Sequence, residues 1–376
     1  MRSTAKKRPK KLSKVRQGNF FEDFAIGMTF THAAPRTLTE GDRSLYFGLT
    51  GARSVTGTAS TNSTVLGFRQ RPLDDMLVFN TAFGKTVNDI SLNARGNLGY
   101  SNVRFLEHVY PDDTVSVESK IIGLKENSNG ESGIVYAESS ANNQYGKSVL
   151  KWIRWVMINK KYPRDCSPNL EVPELPASVT SADLSSKPFS AEVRQVSNLT
   201  GCPDHWEDYT VGERIAHPLG TTIYQSDHSI ATRLYQNNAR GHFDSIMMSG
   251  KPLVYGGHII SICIAAAYDG FENSVGMLAI NAGSHVAPTF PGDTIRCASE
   301  VLDKIEMNSA NIGGLRIRTI AKKNSAESDD FIFPKMIPGK RAKYGDDVVL
   351  DLDYTIAIPK EPWANTISRN WQTVLS

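Results

Sequence analysis

Apolar and polar residues alternate over several stretches of this chain and crowd together in two others, and that contrast predicts its architecture. Val115, Val117 and Ile121 share one face of an alternating segment, Asn127-Ser-Asn-Gly130 reads as a turn, and Ile134 to Ser139 returns. Val149 to Ile158 forms a further strand, interrupted by Lys151 and Arg154. Near the far end, Leu350, Leu352, Tyr354, Ile356 and Ile358 alternate with Asp351, Asp353, Thr355 and Ala357. Such alternation predicts antiparallel sheet with one buried face. Longer helices are predicted around Asp75 to Asn88 and Pro252 to Tyr268, the second apolar nearly all round and so enclosed by other structure. Shorter helices open at Thr39-Glu-Gly-Asp42, a capping sequence, and at Ser226 and Asp227. The fold class is α+β.

The elements occur twice because the sequence does. Phe21-Glu-Asp-Phe-Ala-Ile-Gly-Met-Thr-Phe-Thr-His32 is matched 185 residues later by Trp206-Glu-Asp-Tyr-Thr-Val-Gly-Glu-Arg-Ile-Ala-His217, and Asp42 meets Asp227 at the same offset. Tyr110-Pro-Asp-Asp-Thr114 is matched by Phe290-Pro-Gly-Asp-Thr294 at an offset of 180, which a small deletion explains. The 376 residues therefore divide into a tail over 1–18, an N-terminal half over 19–160, a linker over 161–200 and a C-terminal half over 201–376. The linker is rich in Pro, Ser and Lys and is expected to lie over the surface. A second insertion, Ser325 to Gly345, carries Pro334, Pro338, Lys340, Arg341 and Lys343; it reads equally as a solvated loop or as a basic contact for phosphates.

Charge alters this picture only at the N-terminus. Of 42 Lys and Arg, eight lie in residues 1–18, so the remaining 34 are outnumbered by 39 acidic residues. The tail reads as solvated and disordered, and the mildly acidic body disfavours a nucleic-acid partner. The longest apolar run, Leu253 to Tyr268, is too short for a bilayer span and contains Gly256, Gly257, His258 and Ser261, so no membrane partner is expected. Cys166, Cys202, Cys263 and Cys297 show neither a CxxC pair nor metal-type spacing with histidine, and a reducing cytoplasm fits them.

Candidate chemistry gathers between Tyr235 and His258. His242 can transfer a proton, the Asn237 amide can orient a water, and the N–H groups of Gly256 or Gly257 at the start of the apolar helix can donate to an oxyanion, helped by the helix dipole. Each residue also has a plainer use. The glycine pair suits close helix packing, Asp244 suits a loop anchor, and His258, His32 and His217 suit hydrogen-bonded core positions.

A long helix wrapped by an antiparallel sheet, present twice, is the tandem (double) hot dog arrangement. Asn237-x4-His242-x-Asp244, followed by Val254-Tyr-Gly-Gly257, resembles the Asp-x-Asn-x-x-His-x-Asp and His-Gly signature of the MaoC-like, (R)-specific enoyl-CoA hydratases. The resemblance runs from about Asn19 to Pro359. Within it, Leu77-Val-Phe-Asn80, Asn88-Asp-Ile-Ser-Leu-Asn93, Asn97-Leu-Gly-Tyr100 and Arg154-Trp-Val-Met157 are similar to the mesaconyl-CoA hydratase, or β-methylmalyl-CoA dehydratase, branch.

The resemblance implies a hydro-lyase that reversibly hydrates mesaconyl-CoA to β-methylmalyl-CoA, with no metal or redox cofactor, coenzyme A being part of the substrate. A cytoplasmic homodimer is expected, the compartment from the cysteines and the dimer because the tandem halves already supply the pairing that single hot dogs obtain by dimerising. The chain departs from the signature at three positions: the family's Asp falls on Asn237, its Asn on Ala239, and the His of His-Gly on Tyr255. What remains is a mechanism centred on His242, with Tyr255 and Asp244 at the substrate. Arg240, with Arg233 and Arg53 behind it, is the candidate for the substrate's free carboxylate. In the first half Ala52 and Gly57 occupy the positions of Asn237 and His242, so that half is expected to cover the acyl-CoA. Hydration of another enoyl-CoA, thioester hydrolysis, and acyl-CoA binding without catalysis stay open.

Overall fold

The computed structural model describes residues 17–163, 170–326, 330–335 and 342–362. The basic tail, save its last two positions, lies outside the described residues, as do 327–329 and 336–341 of the second insertion. The first half comprises β1 (Thr29–Thr37), α1 (Glu40–Thr50), α2 (Asp75–Lys85), β2 (Ala94–Phe105), β3 (Thr114–Glu126), β4 (Ser132–Asn142) and β5 (Ser148–Asn159). The second repeats the series as β6 (Arg214–Thr222), α3 (Gln225–Leu234), α4 (Gly256–Ala266), β7 (Gly276–His285), β8 (Thr294–Glu306), β9 (Ile312–Lys323) and β10 (Val348–Pro359).

All ten strands join one antiparallel sheet in the order β1-β3-β4-β5-β2-β7-β10-β9-β8-β6. Exchanging each strand for its repeat partner reverses that order onto itself, so the duplication is also a two-fold of the sheet. Its centre is the β2–β7 pair, where Ser101 faces Ala282. The tandem hot dog arrangement expected from the sequence is present.

Local chemistry sets the helix starts. Thr39 accepts from the Asp42 N–H while Asp42 accepts from the Thr39 N–H at 2.8 Å, which opens α1. In the second half α3 begins at Gln225, one residue before the expected Ser226, and has no side-chain cap. The two central helices, each 11 residues long, are buried nearly all round and cross at the two-fold. There Asn80 Nδ2 donates to Ser261 Oγ at 3.0 Å and to the Gly257 carbonyl at 3.3 Å. A Cβ on Gly257 would stand 2.0 Å from Asn80 Oδ1, so this crossing requires glycine.

Both central helices are shorter than their apolar runs. Helix α2 passes into a π-helical turn, Val87–Ser91, which carries Asp89 to His32 (Oδ2 to Nδ1, 2.7 Å) and turns Ser91 inward. Helix α4 starts only at Gly256, because Tyr255 keeps an extended backbone. His32 and His217 occupy matching strand positions, bonded through Nε2 to Ser119 and Ser299, as core histidines should be.

Two expectations are corrected. Strand β10 is buried on both faces, because its acidic positions are neutralised in place: Asp351 pairs with Arg318 and Asp353 with Arg316. The linker is also not a surface strap. Val179, Leu184, Val193 and Val196 pack into a buried cluster with Leu278, Ala279 and Ala357, and Lys187 holds both oxygens of Asp75 at 2.6 and 2.7 Å. The outer face of β7 and β10 is apolar and needs cover, and each buried aliphatic side chain contributes roughly 1.5–3 kcal/mol.

Candidate active site

A cleft of about 570 Å³ opens between the halves near the start of α4. The first half supplies Phe83, Ser91, Asn97, Tyr100 and Arg154; the second supplies Asn237, Arg240, His242, Tyr255, Gly256 and His285. Neither half could form it alone.

His242 ends a single 3-10 turn, Arg240–His242. Its Nδ1 donates to the Leu253 carbonyl at 2.7 Å, which leaves Nε2 as the acceptor nitrogen. Burial lowers its pKa below the usual imidazole value, only partly opposed by the Leu253 hydrogen bond, so the neutral base prevails at pH 7. Tyr255 stands edge-on to the ring, with centroids 5.6 Å apart.

Asn237 is buried, and its Oδ1 accepts from the Ala239 N–H at 3.1 Å. The amide thus pins the turn that presents His242 and keeps its Nδ2 donors for the cleft. Gly256 lines the cleft; its N–H and that of Gly257 meet no acceptor among the described residues, as expected for the first turn of a helix. The two glycines divide their uses: Gly257 serves the helix crossing, while Gly256 lets the His285 ring approach, since a Cβ there would stand 2.3 Å from His285 Cε1.

Tyr255 is buried, and its hydroxyl donates to Asn80 Oδ1 at 3.1 Å; burial and neighbouring tyrosines push its pKa far up, so it stays a neutral phenol. Asp244 is exposed and accepts from the Met247 N–H at 2.9 Å, the anchoring use, and it does not line the cleft. Arg240 lies at the exposed rim. Arg233 packs on Phe243 and Arg53 pairs with Asp269, both away from this cleft.

Sequence reasoning missed three cleft residues. His285 ends β7, and its Nε2 meets the Tyr100 hydroxyl at 3.2 Å; burial pushes it down to about 4. No spacing marks it, because β2–β7 pairing alone brings it there. Asn97 has both amide atoms buried without a partner. Arg154 is fully buried, and its sequence signal was visible: a charge interrupting an apolar strand. His258 is a correction of the opposite kind, buried as expected but with neither ring nitrogen bonded.

A smaller cleft of about 100 Å³ lies at the start of α2. Ala52 lines it, matching Asn237 at the larger cleft, and Gly57 stands where His242 would be. The first half holds no proton-transfer pair at these positions.

The chain matches the family model described as mesaconyl-CoA hydratase over residues 4–329. It is 42% identical to the mesaconyl-CoA hydratase of Cereibacter sphaeroides over 92% of this chain and 100% of that one. It is 44% identical to the β-methylmalyl-CoA dehydratase of Chloroflexus aurantiacus over 93% of this chain and 99% of that one. Among solved structures, one titled a MaoC domain protein dehydratase from Chloroflexus aurantiacus superposes with a TM-score of 0.85 at 43% identity, covering 93% of this chain and all of that one. A Mycobacterium tuberculosis protein with a double hot dog fold gives 0.71 at 21% identity, covering 91% and 98%, a likeness of fold alone. With two hot dog halves, a cleft between them that His242 lines and similarity along almost the whole length of its relatives, the chain belongs to the mesaconyl-CoA hydratase family.

Proposed function

We propose that the protein is a hydro-lyase that reversibly adds water to mesaconyl-CoA, giving β-methylmalyl-CoA, with His242 as the proton-transfer group. The observation that carries the reading is the held tautomer of His242: Nδ1 is committed to the Leu253 carbonyl, and Nε2 is free to accept a proton in a cleft shared with the start of α4. The names of the two relatives support the same reaction.

In that reaction His242 Nε2 takes a proton from water as the oxygen attacks the β-carbon. The C=C electron pair moves onto the thioester oxygen, which the Gly256 N–H and the positive end of the α4 dipole stabilise. The imidazolium then returns its proton to the α-carbon, so water is added and no proton is lost. Asn237 orients the water and the His242 turn, and Tyr255 bounds the acyl chain as a neutral phenol. No step calls on a metal or redox group; coenzyme A belongs to the substrate. The pantetheine arm is covered by the first half.

The same reading includes a homodimer and a cytoplasmic setting. Cys202, Cys263 and Cys297 are free thiols, which supports a reducing compartment. Light scattering would measure the assembly. The reaction is tested by adding mesaconyl-CoA to the full chain and following the enoyl-thioester absorbance. A fall, with β-methylmalyl-CoA recovered by chromatography and no free thiol, is expected; a fall accompanied by stoichiometric free thiol and no β-methylmalyl-CoA would replace the reading with thioester hydrolysis.

A further inference from the structure

Arg154 is a buried cation facing a cavity with no carboxylate beside it. It is fully buried in β5, and among the described residues no acidic group lies within ion-pair distance of it. Both terminal nitrogens reach Ser91 Oγ at 3.3 Å, the guanidinium lies 4.3 Å from the centroid of the Phe83 ring, and Nε is buried with no partner. Burial lowers its pKa to about 10, so it stays charged at pH 7. Asn97, also unpartnered, lines the same cleft. An unpaired buried charge is costly to hold, and orphaned buried polar groups call for an occupant.

The pseudo-symmetry sharpens the point. Arg154 faces Ala137 of β4, and at the same place in the second half Tyr354 faces Ile317 of β9. Tyr354 lines the small cleft, so the position points inward in both halves, and only the cleft holding His242 carries a cation there. Arg240, by contrast, is exposed at the rim, where water already solvates it.

We propose that Arg154, assisted by Ser91 and Asn97, anchors the free carboxylate of the acyl group and makes the site select dicarboxylic monothioesters. The inference rests on the acyl-CoA reading above. A planar guanidinium binds a carboxylate through two parallel N–H bonds, and a site built around such a bond rejects a ligand lacking it far more strongly than an apolar pocket rejects a missing methylene.

The test separates binding from turnover. Calorimetry on the full chain compares unreactive methylsuccinyl-CoA with 2-methylbutyryl-CoA, which has methyl in place of the carboxylate. The wild type should favour the first, and Arg154→Met should lose about 30- to 5000-fold of that preference, the range for stripping one partner from a buried charge pair. Its apo melting temperature should hold or rise, because an uncompensated charge has gone. Arg154→Lys, which keeps charge but not the fork, should retain part of the preference and serves if the Met variant does not fold. A wild type without preference, equal weakening of both ligands, or a preference lost in Arg240→Gln and kept in Arg154→Met would each overturn the proposal. Preference lost in Arg154→Met without any hydration in the wild type would sink the hydratase reading and leave the anchor standing. Hydration with the preference intact in Arg154→Met would do the reverse.

Discussion

Replacing His242 with Ala removes the imidazole and the 2.7 Å bond to Leu253, and leaves Asn237 and the start of α4 in place. A positioned acid–base group is worth about 10²- to 10⁴-fold in rate, so kcat on mesaconyl-CoA should fall by that factor. The folding cost is of the order of one hydrogen bond, about 1 kcal/mol, small enough for the variant to be assayed folded. The pH profile gives an independent check. Burial depresses the His242 pKa, so the base form prevails above the usual imidazole value, and the rate should fall only as acidification passes below about 6.5. Initial rates of absorbance loss between pH 4.5 and 8, for wild type and variant, measure both. A folded His242→Ala protein within tenfold of wild type, or an acid limb centred above pH 7, would refute a mechanism centred on this imidazole.

Asn237→Ala should lower activity by less than the His242 change and lower stability by about 1 kcal/mol, since its Oδ1 holds the Ala239 N–H; an equal kinetic loss at unchanged melting temperature would make the amide an essential chemical partner. Gly256→Ala drives a Cβ to 2.3 Å from His285 Cε1; a misplaced oxyanion donor predicts about 10²- to 10³-fold in kcat, and near-normal turnover would remove Gly256 from that role. His258 is held near 3, far below its unfolded value, so the unfolded chain binds more protons in between and stability is lost as pH falls from about 6.5. At pH 5 that single histidine accounts for about 2 kcal/mol of acid destabilisation relative to pH 8, and His258→Leu should show a correspondingly smaller fall in denaturation midpoint. Identical pH dependence in both proteins would contradict it.

How much was legible follows from where each signal resides. The repeat, the strands and the capped α1 are readable because they are local: Thr39 and Asp42 cap one another within four residues, and the apolar run of β5 persists across its inward Arg154. His242, Asn237 and Gly256 were readable because a motif spaces them along the chain. His285 was not, because only the pairing of Tyr100 with Gly283 delivers it to the cleft. Arg154 shows a different failure. The charge interrupts the apolar run, but whether it turns outward or into a cavity depends on strand register, and register is a property of the whole sheet. The linker misled for a similar reason: its proline-rich composition says nothing about the bare apolar face of β7 and β10 that it covers.

The two clefts explain why a duplicated fold keeps its candidate chemistry on one side. Helices α2 and α4 are equal in length and mirror one another, yet α2 is capped by Asp74, whose Oδ1 accepts from the Met76 N–H at 2.9 Å. Asp75 beside it is taken by Lys187 and by the Met277 N–H. The positive end of that helix is satisfied from within, and its cleft has closed to about 100 Å³. At α4 the corresponding cap is Tyr255, which turns its hydroxyl to Asn80 and leaves the Gly256 and Gly257 N–H groups without an acceptor among the described residues. Capping a helix and holding an oxyanion call on the same N–H groups. The half that caps its helix gains local stability, and the half that leaves it open, beside His242 and Arg154, keeps free the N–H groups that the proposed reaction directs at the thioester oxygen.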